Sequence, residues 1–198
     1  MEEILITGPD RLTVRALRPE DEADAARVLS ACDDYLVSAT GATAMPADVQ
    51  SLYYSLPEGA EFAQKHLLVL VHEDALVGLV DAVQDHPEPD TCSLGLFLLT
   101  PRARRRGLGT HAARLLLREA AARGIRRVTA TCPESWEPGL AFLTALGFEI
   151  HAPEAEPSDT LGNRLRRPAE QRLCTAVRHL GEADGADGAA RLSRDRTS

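Results

Sequence analysis

The sequence predicts a single domain of mixed α/β type, and three observations predict it. An apolar run over residues 92–100 leads through Arg104-Arg105-Arg106-Gly107-Leu108-Gly109-Thr110 into a helical pattern over residues 110–123. A strand, a glycine turn and a helix therefore follow one another. Two further apolar runs, residues 66–71 and 75–83, are separated by His72-Glu73-Asp74, a hairpin signal. The third observation is length: 198 residues fit one domain and suffice to bury a full core.

The elements follow in order. Residues 11–17 read as a first strand, and Arg18-Pro19-Glu20-Asp21 opens a helix with proline and acids where a first turn favours them. Tyr53 and Tyr54 fall in a second helix. After the hairpin and the strand–turn–helix unit, residues 127–132 form another apolar strand. Residues 138–146 read as a short helix ending at Gly147, which suits a left-handed C-cap, and Phe148-Glu149-Ile150 starts a further strand. Residues 153–171 are long and polar and carry Pro153, Pro157 and Pro168. A connection of that size is uncommon in a compact domain and is often functional. It feeds a last strand over residues 172–180. Residues 181–198, rich in Gly, Ala, Asp and Arg, are expected to be a disordered tail, so the domain covers residues 1–180. The chain has no internal repeat.

Composition excludes several classes of function. Net charge is −8, and Arg102, Arg104, Arg105 and Arg106 are concentrated at one turn. A nucleic-acid binder would show an extended basic face instead. Cys32, Cys92, Cys132 and Cys174 are widely spaced, with no CxxC pair and no histidine cluster, so buried reduced thiols are expected rather than disulfides or a metal site. No apolar run reaches membrane-spanning length and the N-terminus lacks a signal-peptide pattern, so a cytoplasmic protein is expected.

The turn at residues 104–110 is the most informative stretch. Gly107 and Gly109 let the backbone bend sharply and approach a ligand closely. The first amides of the helix lack internal partners, and the macrodipole there favours negative charge. A phosphate-bearing cofactor fits this cradle. A P-loop needs Lys then Ser or Thr after its second glycine, whereas Lys65 is the one lysine and lies far off. A dinucleotide fold needs a third glycine, whereas Gly109 is followed by Thr110-His111-Ala112. What remains, Arg104-x-x-Gly107-x-Gly109, resembles the acyl-CoA pyrophosphate loop of the GNAT superfamily of N-acetyltransferases. The order of strands and helices over residues 11–150, closing on Leu146-Gly147-Phe148, is similar to the same family.

The resemblance implies a central mixed, mostly antiparallel sheet, splayed at the cofactor strand and flanked by helices. It implies direct acetyl transfer from acetyl-CoA to a primary amine, without a covalent enzyme intermediate or a metal. By the same resemblance, the cofactor meets main-chain amides of Phe97, Leu98 and Leu99 and of Arg105, Arg106, Gly107, Leu108, Gly109 and Thr110. Arg104 closes the loop, Arg102 or Arg105 reaches the adenosine phosphate, and Trp136 lies beside the pantetheine channel or caps helix packing. A homodimer, common in the family, is the default assembly.

The proton chemistry departs from the family. A lysine-like amine has a reference pKa near 10.4, so freeing it at pH 7 costs on the order of 4.6 kcal/mol, and a positioned base offsets part of that. Many relatives place a Glu base on the cofactor strand; Ser93, Gly95 and Phe97 stand there on one face by strict alternation. Many place a Tyr acid before Gly-Phe; Leu143 holds that position. Replacement candidates are Asp81, a carboxylate within an apolar run that on strict alternation could equally face solvent, Asp85 beside His86, which also reads as an ordinary polar turn, and Ser135 as a proton relay. Cys132 lacks an evident histidine partner and reads as a small apolar residue. Asp33-Asp34-Tyr35, following the first helix, suit a small cationic amine through charge and ring contact, or simply end the helix on a polar loop. One ring of Tyr53-Tyr54 is expected in the acceptor cleft, with Tyr54 as the candidate, and the other in packing. The rival reading is a non-catalytic acyl-CoA-binding module acting through a protein partner, supported by the missing Glu and Tyr.

Overall fold

A computed structural model describes residues 5–7, 11–45, 47–153 and 172–181. The expected tail from 182 onward and most of the long connection (154–171) lie outside these residues. Among the described residues eight strands form one sheet in the order β1-β2-β3-β4-β5-β6-β8-β7. They are β1 (Leu5–Thr7), β2 (Leu12–Ala16), β3 (Lys65–His72), β4 (Ala75–Gln84), β5 (Thr91–Leu99), β6 (Arg127–Pro133), β7 (Glu149–His151) and β8 (Leu173–His179). Every neighbouring pair is antiparallel except β5 and β6, which run parallel. The mixed, mostly antiparallel sheet expected from the sequence is therefore present, with β1 as an additional strand.

Among the described residues five α-helices flank the sheet: α1 (Glu22–Ala31), α2 (Asp33–Thr40), α3 (Asp48–Tyr54), α4 (Leu108–Ala122) and α5 (Glu137–Ala145). Ala25, Val28, Leu29 and Cys32 recur at helical spacing, and their stripe packs on Val69, Leu79 and Leu98. On the opposite face Ala113 and Leu117 of α4 join Leu143 of α5 and Val128 and Ala130 of β6. α1, α2 and α3 thus cover one face, and α4 and α5 the other. Asp33, Asp34 and Tyr35 do not end the first helix on a loop; they open α2 after a break at Cys32.

Local chemistry sets the corners. Glu73 and Asp74 both have positive φ, 50° and 63°, which makes the β3–β4 connection a two-residue turn of the primed type that matches strand twist. Gly147 has φ 80°, and the amide of Phe148 reaches back to the carbonyl of Leu143, the left-handed C-cap expected there.

Two irregularities shape the centre. The β3–β4 register slips between Leu70 and Val71, so Val77 is the extra residue. The β4–β5 register slips between Asp81 and Ala82, and Gly95 is the residue left over. Further on, β5 and β6 pair only from Thr91↔Arg127 to Leu94↔Ala130. Beyond that point β5 continues to Leu99 and β6 to Pro133 unpaired with each other, so the sheet splays into a wedge just past the Gly95 bulge.

Candidate active site

The wedge holds a cavity of about 550 Å³. Gly95, Leu96 and Phe97 form one wall, Cys132 and Trp136 the other, and Gly107 and Gly109 lie at one end. This size and mostly apolar lining suit a small-molecule or cofactor arm.

The loop at that end is built as an anion cradle. Gly107 caps α4 with φ 82°, a conformation that disfavours side chains, and a Cβ placed on it would meet nothing within 4 Å. Helix α4 begins at Leu108, two residues earlier than the sequence pattern indicated. Among the described residues, the first amide of this segment to find a main-chain carbonyl is that of His111, on Gly107. The amides of Leu108, Gly109 and Thr110 therefore face outward at the positive end of the helix dipole. Gly109 has a different reason to be glycine: a Cβ there would lie 2.8 Å from Leu99 Cδ1. Arg102, Arg105 and Arg106 are exposed around the rim.

Arg104 faces inward. Its Nε donates to the carbonyl of Leu99 at 2.8 Å, its guanidinium forks onto the Asp34 carboxylate, and it lies 5.7 Å from the Trp136 ring centre. The Asp34 carboxyl is held below the usual carboxylate range by that guanidinium. Arg104 is thus a strut between the end of β5 and the start of α2, and Asp34 is its anchor. Asp33 is also engaged, accepting from the Ala44 amide at 2.8 Å. Tyr35 packs edge-on against Trp136 at 5.9 Å and lines the cavity, with burial pushing its hydroxyl pKa up. Ser38 and Ser135 share a hydrogen bond at 2.9 Å. Helix α2 is therefore fastened across the mouth of the wedge at three points. Of the two neighbouring tyrosines, Tyr53 packs with the α1–α3 core while Tyr54 is 76% exposed.

The expected proton-handling residues are not brought together. Asp85 sits in the turn after β4, where it accepts from the Asp90 amide at 3.1 Å. Ser135 stands across the wedge, tied to Ser38. Asp81 lies at the β4–β5 bulge: its Oδ2 is 3.9 Å from where a Cβ on Gly95 would be, so it borders the cavity without lining it. Burial raises its carboxyl pKa, opposed by a hydrogen bond from Lys65. Cys132 is buried, and that burial pushes its thiol up to about 11, which keeps it protonated at neutral pH. Leu143 is buried in the α4–α5 core.

Three features escaped the sequence reading: the Gly95 bulge, the Arg104–Asp34 strut and the Lys65–Asp81 pair. The bulge also corrects the expected face of β5. Leu94 and Phe97 pack toward α4, while Leu96 and Leu98 pack toward α1 and α3, so strict alternation fails at Gly95. A lone glycine within an apolar run was the available signal.

The sequence matches the family described as Acetyltransferase (GNAT) family over residues 31–148. The chain belongs to the GNAT acetyltransferases. These enzymes move acetyl from acetyl-CoA to an amine. The fold is similar to that of an acetyltransferase from Thermus thermophilus, at 24% identity and TM-score 0.64 over 88% of this chain and 98% of that one. It is also similar to the ribosomal-protein-S18-alanine N-acetyltransferase of Escherichia coli, at 16% identity and TM-score 0.55 over 86% and 97% of the two chains. A third similar structure is RimL, a ribosomal L7/L12 alpha-N-protein acetyltransferase in complex with coenzyme A, at 12% identity and TM-score 0.68 over 89% and 98%. No curated protein matches the sequence significantly.

The residues present fit acetyl-CoA. The amides of Leu108, Gly109 and Thr110 and the open space at Gly107 suit its pyrophosphate, and the apolar wedge suits its pantetheine arm. Among the described residues no group of His, Cys, Asp or Glu is placed to hold a metal, and no helix is long and apolar enough to cross a membrane.

Proposed function

We propose that this GNAT acetyltransferase acylates the primary amine of a small cationic molecule in the cytoplasm, with Asp81 taking the amine proton. The observation that carries the reading is the position of Asp81. It is a half-buried carboxylate at the lip of the wedge, beside a glycine whose missing side chain leaves the approach open. Burial raises its carboxyl pKa, which makes it a better proton acceptor than an ordinary aspartate.

When bound, acetyl-CoA supplies the thioester carbon to which the amine bonds as the carbon–sulfur bond breaks and CoA leaves as the thiol. The chain's own part is to hold, orient and deprotonate. The α4 amides fix the phosphate end, and the walls of the wedge exclude water. Asp81 accepts a proton from the acceptor's ammonium, freeing the nitrogen lone pair, and later passes it on to solvent. Helix α2, fastened across the mouth, favours a small acceptor over a bulky one, and Tyr35 presents its ring on the acceptor side. Asp33, Asp34 and Asp81 are all engaged within the protein, so attraction for a cationic acceptor rests on the net charge of −8. Four free cysteines suit a reducing compartment.

The test is thiol release from acetyl-CoA across a panel of small polyamines and amino sugars, together with a peptide bearing a free N-terminus. Asp81→Asn is expected to lower kcat by about 10²–10⁴-fold on the best acceptor. An unchanged rate and pH profile would remove Asp81 as base. Preference for the peptide would replace the small-molecule acceptor with a protein N-terminus.

A further inference from the structure

Lys65 is the one lysine of the chain, and it is inside the protein. Its side chain is 5% exposed and that of Asp81 14%. Lys65 opens β3 opposite Val83, and Leu67 stands opposite Asp81, so the two charged residues share one face as diagonal neighbours. The Lys65 ammonium donates to both carboxylate oxygens of Asp81 at 2.8 Å. It also donates to the main-chain carbonyl of Ser55, the residue that ends α3, at 2.8 Å. All three of its protons have partners.

Stability does not explain such a pair. Taking two charges out of water costs about as much as their attraction returns, and apolar residues of similar volume do as well or better. Location offers a reason. Asp81 stands opposite the Gly95 bulge, at the lip of the wedge where β5 and β6 part. A free aspartate there could swing between rotamers; one gripped at both oxygens cannot.

We infer that Lys65 is a positioning residue for acetyl transfer, fixing the Asp81 carboxylate at the Gly95 bulge and tying it through Ser55 to the end of α3. The inference rests on the reading of Asp81 as the base. Among the described residues, Lys65 is the charged group that acts on Asp81. Strand β5 presents Gly95 and Leu96 to it, α1 packs on this face through Ala25, Val28 and Leu29, and Val80 turns to the α4 side. His66, next to Lys65 on the strand, turns to that other side too. Burial raises the Asp81 pKa and the ammonium lowers it. Without Lys65, burial acts alone and the carboxyl titrates higher.

The experiment compares wild type, Lys65→Met, Lys65→Gln, Lys65→Arg and Asp81→Asn. One readout is the carboxyl carbon titration of Asp81 by NMR in the free protein; the other is the acid limb of kcat/KM against pH. Lys65→Met should move the Asp81 midpoint and the acid limb upward together, by about one pH unit or more. Lys65→Arg should restore both in part, with acetyl-CoA affinity unchanged throughout. Lys65→Gln keeps a donor for Ser55 without the charge and gives the same reading if the methionine variant fails to fold. A neutral variant that folds and leaves both midpoints in place overturns the inference. Asp81→Asn with full activity overturns the base reading instead, and the NMR midpoint then still reports whether Lys65 governs Asp81.

Discussion

Arg104→Gln separates two roles that the sequence alone runs together. An arginine beginning a glycine-rich phosphate loop reads as a cofactor ligand, yet its guanidinium is engaged by Leu99, Asp34 and Trp136. The hydrogen bond from a charged donor to the Leu99 carbonyl is worth about 1.5–3 kcal/mol. The fork onto Asp34, whose carboxyl is 45% exposed, adds at most about 1 kcal/mol. Contact with the Trp136 ring adds about 0.5–1 kcal/mol. These share one side chain and do not sum, and glutamine recovers part of the first, so the net loss is about 2 kcal/mol. For a chain of this size that lowers Tm by about 4–8 °C. The assay is thermal unfolding of both proteins, with acetyl-CoA affinity measured by calorimetry alongside. The strut reading predicts the Tm loss with affinity held within about threefold. An unchanged Tm with a tenfold or greater loss of affinity would refute it and make Arg104 a phosphate ligand.

Other expectations follow from named contacts. Asp21 is buried and accepts from the Arg15 guanidinium at 2.6 and 2.8 Å and from the Arg18 amide at 2.9 Å, which hold its carboxyl below the ordinary aspartate value. A depressed folded pKa contributes stability above the unfolded value and loses it as pH falls through the folded one. Asp21→Asn should therefore lower Tm by about 4–8 °C at pH 7, with the gap to wild type closing below about pH 4 in a pH series of melts. Gly107→Val strains a left-handed backbone in open space, so it should cost about 1–2 kcal/mol of stability while sharply weakening acetyl-CoA binding. Gly109→Val instead drives a side chain into Leu99 and Phe142, and its primary effect should be a Tm loss from overpacking of about 1–3 kcal/mol. Equal melting curves for the two valine variants would contradict that division.

The order of elements along the chain, the glycine turn at Gly107, the Gly147 cap and the hairpin turn at residues 72–74 were legible because each depends on residues close in sequence. The proton chemistry was not, because it depends on register. Carried straight down from the two-residue turn, the β3–β4 pairing would set Asp81 opposite His66, on the α4 face. The extra residue at Val77 shifts every later pair by one, and Asp81 changes face to join Lys65. A second extra residue, Gly95, does the same to β5 and undoes the alternation that grouped Ser93, Gly95 and Phe97. Helix α2 was hidden for another reason: Asp33 and Asp34 are weak helix formers in an interior and read as a helix end, yet they are favourable in a first turn. Their partners, Ala44 and Arg104, lie 11 and 70 residues away.

The most direct test of the account is the melting temperature with and without acetyl-CoA at about a hundred times its dissociation constant. Binding to the Gly107 cradle and the wedge at that level adds about 2.7 kcal/mol, and so should raise Tm by about 5–10 °C. An unmoved Tm would contradict the assignment of this loop and cavity to the cofactor, and with it the chemistry placed at Asp81.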